Sequence, residues 1–261
     1  LKKNFSNFIE KTPSLGKAFV CIDDKHNKEI LKKIKNKNYY TYGTNKKANF
    51  QIYNILQNEN FSKFDLKIRI PGRETRIHNI KIPLIGLHNI INATSAFAVS
   101  FSIGINIGTI KDGLLKFKGV QRRFNFLFEK NKAIFFDDYA HHPTEITSVL
   151  EGVKKVYKKK EIICIFQPHR ISRVKNLKLE FSKSFIKSDT VLLCPIYKAS
   201  ENINLGFSYN SFARLIIKNS KVKLINIENE KELQRFLKQT AYGDKIYIAM
   251  GAGSISNWMR N

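Results

Sequence analysis

Cysteine, acidic residues and long apolar runs are all scarce in this 261-residue sequence, and each shortage narrows the possible classes of protein. The three cysteines, Cys21, Cys164 and Cys194, are widely spaced within apolar runs and lack the paired spacing of metal ligands. They indicate buried, reduced thiols and argue against a disulfide framework or a cysteine zinc site. No apolar run approaches the roughly 18 residues that cross a bilayer. The sequence therefore predicts a soluble, cytoplasmic protein.

The start of the chain also lacks expected features. Its first residue is Leu1 rather than a methionine, and the opening LKKNFSNFIEK has neither an apolar signal core nor a small-residue cleavage site. We therefore expect the sequence to begin inside a longer protein. Its length fits two ordinary domains, because domains commonly run to roughly 100–150 residues.

Acidic residues number 21 against 46 basic ones, which gives a net charge of +25. Clustered cations are typical of nucleic-acid-binding proteins, because they release counterions from phosphates on binding. Here 36 of the 46 basic residues are lysines, and they are spread along the whole chain. This spread favours a solvated lysine surface in a compositionally biased protein. A basic nucleic-acid-binding module remains the alternative from another class of function.

The pattern of predicted strands and helices changes near Gly119. Before it, short strand-like runs dominate, two of which are joined by the turn signal PGRE. The runs predicted as strands are GKAFVCID, NYYTYGT, ANFQIYNIL, FDLKIRI and TRIHNIKIPL. Helices are predicted from about His88 through INATSAFAVSFSIG and over TIKDGLLKF. This part of the chain is predicted to be a mixed sheet followed by helices.

After Gly119 the sequence alternates regularly between apolar strands and amphipathic helices. The predicted strands are 133–136, 162–166, 190–194, 221–225 and 245–250. The predicted helices start at Pro143, carry Leu177, Phe181 and Phe185, and lie around 212–216 and 233–237. Such alternation implies an α/β fold whose parallel sheet is covered on both faces. Ligands of such sheets bind beyond the carboxyl ends of the strands, so the residues that follow each strand are the functional candidates.

The first such loop has the sequence DDYAHHPTE, from Asp137 to Glu145. It places two carboxylates, a phenol and two imidazoles between a strand and a helix, and Pro143 suits the first helical turn. Free N–H groups at the start of that helix favour an anionic ligand. A zinc site is a weaker interpretation, because adjacent histidines do not readily bind one metal and no cysteine is close in sequence.

The second loop, FQPHRISR, places Arg170 and Arg173 three residues apart at the start of a helix. Their guanidinium groups could converge on a carboxylate or phosphate, whereas the simpler interpretation is a pair of solvated arginines. The segment from Gly251 to Ser256 resembles a dinucleotide-binding fingerprint only superficially, because no second strand or ribose-binding acid follows it. A tight turn is its expected role, and backbone amides that face the substrate are the alternative.

A third set of candidate residues lies on both sides of Gly119, where the pattern of strands and helices changes. Asn89 and Asn92 offer both donors and acceptors, which suits the edge of an adenine ring, although such residues more often cap helices. Arg122 and Arg123 follow in GVQRRF, where the simpler interpretation is surface charge.

The segments HNIINA, GVQRRF, DDYAHHPTE, FQPHRISR and GDKIYIAMGAGSI occur in this order in the Mur ligase family, and the chain resembles its alanine-adding members over essentially its whole length. The resemblance implies two domains. Residues 1–119 would be the C-terminal part of a central ATP-binding domain, and residues 120–261 a Rossmann-like C-terminal ligase domain with a mostly parallel sheet.

The resemblance also implies roles for individual residues. Adenosine triphosphate (ATP) would be bound through Asn89 and Asn92 at its adenine, and through Arg123 and Asp138 at its ribose and phosphates, with His88 supporting the asparagine loop. The residues implied around the muramoyl carboxylate and the incoming alanine are Tyr139, His141, Arg170 and Arg173, with His141 and Arg173 as the catalytic candidates.

The implied reaction is ATP-dependent joining of L-alanine to UDP-N-acetylmuramate through an acyl phosphate, in peptidoglycan synthesis. Fixed cationic groups would stabilise the negative charge that develops in it. The chain contains no glycine-rich loop ending in Gly-Lys-Ser or Gly-Lys-Thr. We therefore expect the phosphate-binding loop and the Mg²⁺ ligands to lie upstream, and the isolated chain to be inactive. The nearest alternative is the family's recycling ligase, which attaches a ready-made tripeptide.

Overall fold

The computed structural model describes residues 2–36, 38–201 and 206–260. The chain forms two compact units, Leu1–Lys118 and Gly119–Asn261. Among the described residues, no helix has both the length and the apolar character that a membrane span requires.

The first unit is built on a five-stranded sheet whose strand order follows the chain, β1-β2-β3-β4-β5. The strands are β1 (Ala18–Cys21), β2 (Tyr39–Gly43), β3 (Phe50–Gln57), β4 (Ser62–Ile70) and β5 (Arg73–Ile82). The first three strands are parallel and the last three antiparallel, so the sheet is mixed as predicted. The predicted turn joins β4 to β5, and Gly72 there has a φ of 72°.

Helices pack on both faces of this sheet. They are α1 (Lys2–Glu10), α2 (Lys25–Lys33), α3 (Leu87–Ser102) and α4 (Ile107–Lys116). Alternation along β1 sends Phe19 to the core shared with α3 and Val20 to the core shared with α1 and α2. Helices α1 and α2 were not predicted. Both are short and lysine-rich, and α2 buries only Ile30 and Leu31, so their apolar stripes are weak.

The second unit is built on a six-stranded sheet of order β10-β9-β8-β11-β7-β6. Its strands are β6 (Asn125–Lys130), β7 (Ala133–Asp138), β8 (Glu161–Phe166), β9 (Thr190–Leu193), β10 (Lys223–Asn226) and β11 (Lys245–Met250). Strand β6 pairs antiparallel with β7, and all other pairs are parallel. The prediction missed β6, which is largely exposed at the sheet edge and has Phe126 60% exposed.

Helices cover both faces of this sheet as well. They are α5 (Pro143–Val156), α6 (Ile171–Asn176), α7 (Lys178–Lys183), α8 (Tyr209–Ser220), α9 (Glu230–Thr240) and α10 (Ile255–Trp258). One core joins the sheet to α9 and α10 through Leu233 and Ile255. On the other face, Phe166 packs its ring against Phe181, which in turn contacts Phe212 of α8.

Two sequence-based boundaries and one burial expectation were wrong in detail. The helix expected to carry Leu177, Phe181 and Phe185 is two short helices, because Leu177 has a non-helical ψ of 26° and joins them. Strand β10 begins at Lys223 rather than at Lys221, since Lys221 is the left-handed cap of α8. Cys164 and Cys194 are buried, as expected, but Cys21 is only partly buried.

Candidate functional site

The sheet of the second unit brings the two predicted loops to the same edge. Strand β11 lies between β7 and β8 and is parallel to both. The carboxyl ends of the three strands therefore open onto one rim, which carries the loops 139–142, 167–170 and 251–254. The rings of His141 and His169, on the two outer loops, have centroids 5.8 Å apart. These two loops thus meet despite the intervening strand.

Asp138 ends β7 and is only 3% exposed. Its two carboxylate oxygens accept the backbone N–H groups of Phe124 at 2.7 Å and of Ala140 at 2.6 Å. Burial raises the pKa of Asp138 to about 6, although these two hydrogen bonds and the Arg123 charge oppose that rise. In this chain, Asp138 ties the segment before β6 to the loop after β7.

His141 and His142 are held at the start of α5 by Glu145. The Glu145 carboxylate accepts the backbone N–H groups of His141 at 3.0 Å and of His142 at 3.2 Å. His142 Nδ1 in turn accepts the Thr144 N–H, and this completes a capping box with Pro143 in the first helical turn. His142 is therefore the helix cap. The His141 side chain is only 20% exposed and lies beside the rim.

The orientation of the His141 ring follows from its hydrogen bond. Its Nδ1 lies 2.8 Å from the backbone carbonyl oxygen of Tyr139, which can only accept, so Nδ1 donates. In the neutral ring Nε2 then keeps its lone pair. The Tyr139 ring packs edge-on against the same imidazole, with centroids 5.2 Å apart.

The loop after β8 combines an imidazole with two arginines. Arg173 Nη1 lies 3.4 Å from His169 Nδ1, and the His169 ring stacks on Tyr197 with centroids 5.5 Å apart. Burial lowers the pKa of His169, and Arg173, His141 and Arg170 lower it further, while Glu201 opposes this shift. Arg170 has a φ of 67° and precedes the first residue of α6.

The neighbouring arginines Arg122 and Arg123 have different surroundings. The Arg122 side chain is 25% exposed, and its Nη2 donates to the carbonyl of Gly251 at 2.5 Å. The Arg123 side chain is 52% exposed and lies 3.8 Å from the Glu145 carboxylate. Of the two, Arg123 is the one that solvent and ligands can reach.

The glycine loop after β11 is packed against the loop after β8. A methyl group on Gly253 would lie 2.5 Å from Gln167 Oε1 and 2.6 Å from Tyr197 Cγ. Gln167 also accepts the Ile255 N–H at 3.0 Å and donates to Ser254 at 3.1 Å. Close packing is thus one reason for glycine at 253.

Asn89 and Asn92 belong to the first unit, in the opening turns of α3. Asn89 donates to the Ile85 carbonyl at 2.7 Å, whereas the Asn92 side chain is exposed. Gly86 precedes the helix with a φ of 96°, and a methyl group there would lie 2.6 Å from the His88 ring. His88 thus packs against the turn that starts the helix.

The sequence analysis missed several contributors to the rim: Glu145, His169, Tyr197, Ser172 and Glu201. The spacing of His142 and Glu145 is a capping-box signal that would have identified Glu145. Glu201 accepts the backbone N–H and hydroxyl of Ser172, a contact across 29 residues that has no local signal. Over the described part of the chain, no group of three or more His, Cys, Asp or Glu side chains could hold a metal ion.

Two family profiles match this chain. One, described as Mur ligase, glutamate ligase domain, matches residues 122–253, and the other, Mur ligase middle domain, matches residues 1–100. The chain therefore belongs to the Mur ligase family. This agrees with the α/β fold and with the rim of candidate residues at the carboxyl ends of β7, β8 and β11.

The curated relatives of this chain include UDP-N-acetylmuramate–L-alanine ligases. The chain is 58% identical over 261 residues to that of Pelagibacter ubique, covering 100% of this chain and 56% of the relative. It is 38% identical to that of a Hydrogenobaculum species, covering 99% of this chain and 55% of the relative. The chain thus spans about half the length of the curated relatives it matches.

Solved structures share the fold. The UDP-N-acetylmuramate–alanine ligase of Thermotoga maritima superposes with a TM-score of 0.67 at 23% identity, over 90% of this chain and 53% of that one. A murein peptide ligase of Psychrobacter arcticus gives a TM-score of 0.64 at 20% identity, over 98% of this chain and 52% of that one.

Proposed function

We propose that this chain contributes the amino-acid-adding site of an ATP-dependent ligase that joins L-alanine to UDP-N-acetylmuramate in peptidoglycan synthesis. The proposal rests chiefly on the rim where His141, His169 and Arg173 converge beside Tyr139. The 58% identity to the Pelagibacter ubique ligase supports the choice of substrates. Because the reaction consumes ATP and a nucleotide-linked sugar, we place it in the cytoplasm.

In the proposed reaction, the lactyl carboxylate takes the γ-phosphoryl group of ATP, which releases ADP and leaves an acyl phosphate. The amine of L-alanine then attacks the acyl carbon, the amide C–N bond forms, and inorganic phosphate leaves. Each step places negative charge on oxygen atoms, and Arg170 and Arg173 are the cationic donors for it.

We propose that His141 accepts the proton that the attacking amine must lose. Its Nδ1 donates to the Tyr139 carbonyl, so the lone pair of Nε2 is the basic group. Burial, with the neighbouring cations, lowers the pKa of His169, which disfavours a positive charge on that ring beside His141.

For ATP, we propose the adenine edge at Asn89 and Asn92 and the ribose and phosphates at Arg123 and Asp138. The Asn89 amide nitrogen already donates to Ile85, which leaves its oxygen as an acceptor, and the exposed Asn92 amide offers both groups. The exposed Arg123 guanidinium suits a phosphate. Both Asp138 oxygens already accept backbone N–H groups, so a ribose hydroxyl would use their remaining lone pairs. Mg²⁺ accompanies ATP in this proposal.

The test is a hybrid ligase in which this chain replaces the matching portion of the Pelagibacter ubique enzyme. The hybrid should release phosphate only when ATP, UDP-N-acetylmuramate and L-alanine are all present. Replacing His141 with Ala or Arg173 with Ala should lower kcat by about 100-fold or more, as expected for groups that act at the reacting atoms.

The unsubstituted relative serves as the control for an intact assay. A hybrid that uses the tripeptide of the recycling reaction but not free alanine would instead identify the recycling activity. A folded hybrid that uses neither amine would refute the proposal.

A further inference from the structure

Arg122 contacts two separate segments of the second unit, the glycine loop after β11 and the loop after β7. Its Nη2 donates to the carbonyls of Gly251 at 2.5 Å and Gly253 at 3.4 Å. Its guanidinium carbon lies 4.8 Å from the centre of the Tyr139 ring. Its backbone carbonyl accepts the Tyr139 N–H at 2.6 Å. Tyr139 is therefore held from the Arg122 backbone and from its side chain together.

A buried carboxylate balances the charge of this arginine. Asp137 is fully buried, and one of its oxygens lies 4.0 Å from Arg122 Nε. The same oxygen accepts the Ser256 hydroxyl at 2.5 Å and an Arg260 N–H at 3.3 Å. A fully buried carboxylate is costly unless cations and donors surround it, so the Asp137 charge favours keeping the Arg122 guanidinium close by. The 4.0 Å contact is an ion pair without a hydrogen bond, since Arg122 Nε has no hydrogen-bond partner among the described residues.

We propose that Arg122 is a positioning residue: it clamps the glycine loop after β11 to the loop after β7 and so holds the Tyr139 ring at the reaction rim. The two arginines of GVQRRF then have separate roles. Arg122 is the less exposed and organises the rim through the glycine-loop carbonyls. Arg123 is 52% exposed and lies 5.8 Å from the centre of the Tyr139 ring and 3.8 Å from Glu145, so it is the arginine that a ligand can reach more readily. The inference deepens the proposed function and rests on it for the identity of the reaction.

The shape of the guanidinium explains why lysine would be a poor replacement. Its Nη2 atom donates to both loop carbonyls while the rest of the guanidinium group lies against the Tyr139 ring. An ammonium group keeps a positive charge near Asp137, but it is a single compact nitrogen that does not contact the loop carbonyls and the Tyr139 ring together. Arg122→Lys should therefore keep the fold and part of the clamp, and Arg122→Met should lose the clamp.

The first measurement is amide hydrogen exchange on the full chain. The Tyr139 N–H is bonded to Arg122, and the Gly251 N–H is bonded to the Asp138 carbonyl at 3.2 Å. In Arg122→Met, exchange in peptides containing these two amides should accelerate about tenfold or more, with a smaller effect in Arg122→Lys. Exchange in β8 should stay unchanged, and Arg214→Lys, an exposed change on α8, is the matched control. Unchanged exchange in the two peptides of a folded Arg122→Met chain would overturn the clamp.

The second measurement separates positioning from a merely structural role. In the hybrid ligase, Arg122→Met should lower kcat by about 100-fold with little change in the KM for ATP, and Arg122→Lys should restore part of the kcat. Faster exchange together with an unchanged kcat would overturn the positioning role. If the unsubstituted hybrid is inactive, the proposed function fails, and the positioning role of Arg122 in the reaction fails with it. The hydrogen-exchange result does not depend on activity, so it decides by itself whether Arg122 clamps the two loops together.

Discussion

At the scale of single residues, the loops of the rim are held in place by side chains that are buried and hydrogen-bonded to the backbone. Asp138 is the clearest case, because its carboxylate is almost fully buried and bonded to backbone N–H groups on two segments. Burial raises its pKa from the ordinary 3.8 to about 6. The folded chain therefore binds this proton more tightly than the unfolded chain does.

We expect the stability that protonated Asp138 contributes to be present below about pH 4 and to be lost as the pH rises through about 6. In Asp138→Asn this dependence should disappear, so the stability advantage of the unsubstituted chain over the variant should shrink between about pH 4 and 6. Urea unfolding of both proteins across this range measures the difference. If the stability advantage of the unsubstituted chain grows with pH, folding lowers the pKa of Asp138 instead of raising it.

Gly253 illustrates a residue whose identity is set by packing. Gly253→Ala should destabilise the second unit by about 1–3 kcal/mol, because its methyl group would overlap Gln167 and the Tyr197 ring. The matched change is Gly113→Ala in α4, where a methyl group meets nothing within 4 Å. That change should stabilise the chain by about 0.5–1 kcal/mol through helix propensity. Equal effects of the two substitutions on urea unfolding would contradict this account.

At the scale of elements, the start of α5 shows how helix capping serves the site. Glu145 binds the backbone N–H groups of both histidines, so the same contacts that satisfy the helix end also fix the His141 backbone. The exposed Arg123 guanidinium lies near the same carboxylate. Removing the Glu145 carboxylate should therefore weaken both the start of α5 and the loop that precedes it.

Glu145→Ala should lower stability by about 1 kcal/mol, the usual cost of losing a helix cap. The matched control is Glu151→Ala, an exposed position on the same helix, which should change stability by less than about 0.5 kcal/mol. Thermal unfolding compares the two variants. If the Glu151 variant loses as much stability as the Glu145 variant, the capping contacts of Glu145 add no stability of their own.

At the scale of the whole molecule, the net charge of +25 repels itself in the folded chain. Added salt screens such repulsion over a Debye length of about 10 Å at 0.1 M. We therefore expect the thermal midpoint at neutral pH to rise when NaCl increases from about 20 to about 200 mM. Near pH 9.9, the isoelectric point of the sequence, the salt effect should vanish. A salt response of equal size at both pH values would exclude self-repulsion as its cause.

Much of the fold and the location of the candidate site could be predicted from local patterns in the sequence. Apolar runs of strand length alternating with amphipathic helices predicted the α/β fold, because burial on both faces of a parallel sheet imposes that alternation. The position of DDYAHHPTE and FQPHRISR directly after strands predicted a functional rim. Their order along the chain, with three further motifs, led to the Mur ligase family, to which the chain belongs.

Only the tertiary structure decided how the loops meet. Strand β11 inserts between β7 and β8, so Gly251 reaches Arg122, a residue 129 positions earlier. No local pattern records that pairing, because strand order is chosen by contacts between distant segments. The resemblance singled out Arg123 for ATP, but no local pattern assigned a role to Arg122. Its contacts with Gly251 and Asp137, which are distant in sequence, make it the less exposed of the two arginines.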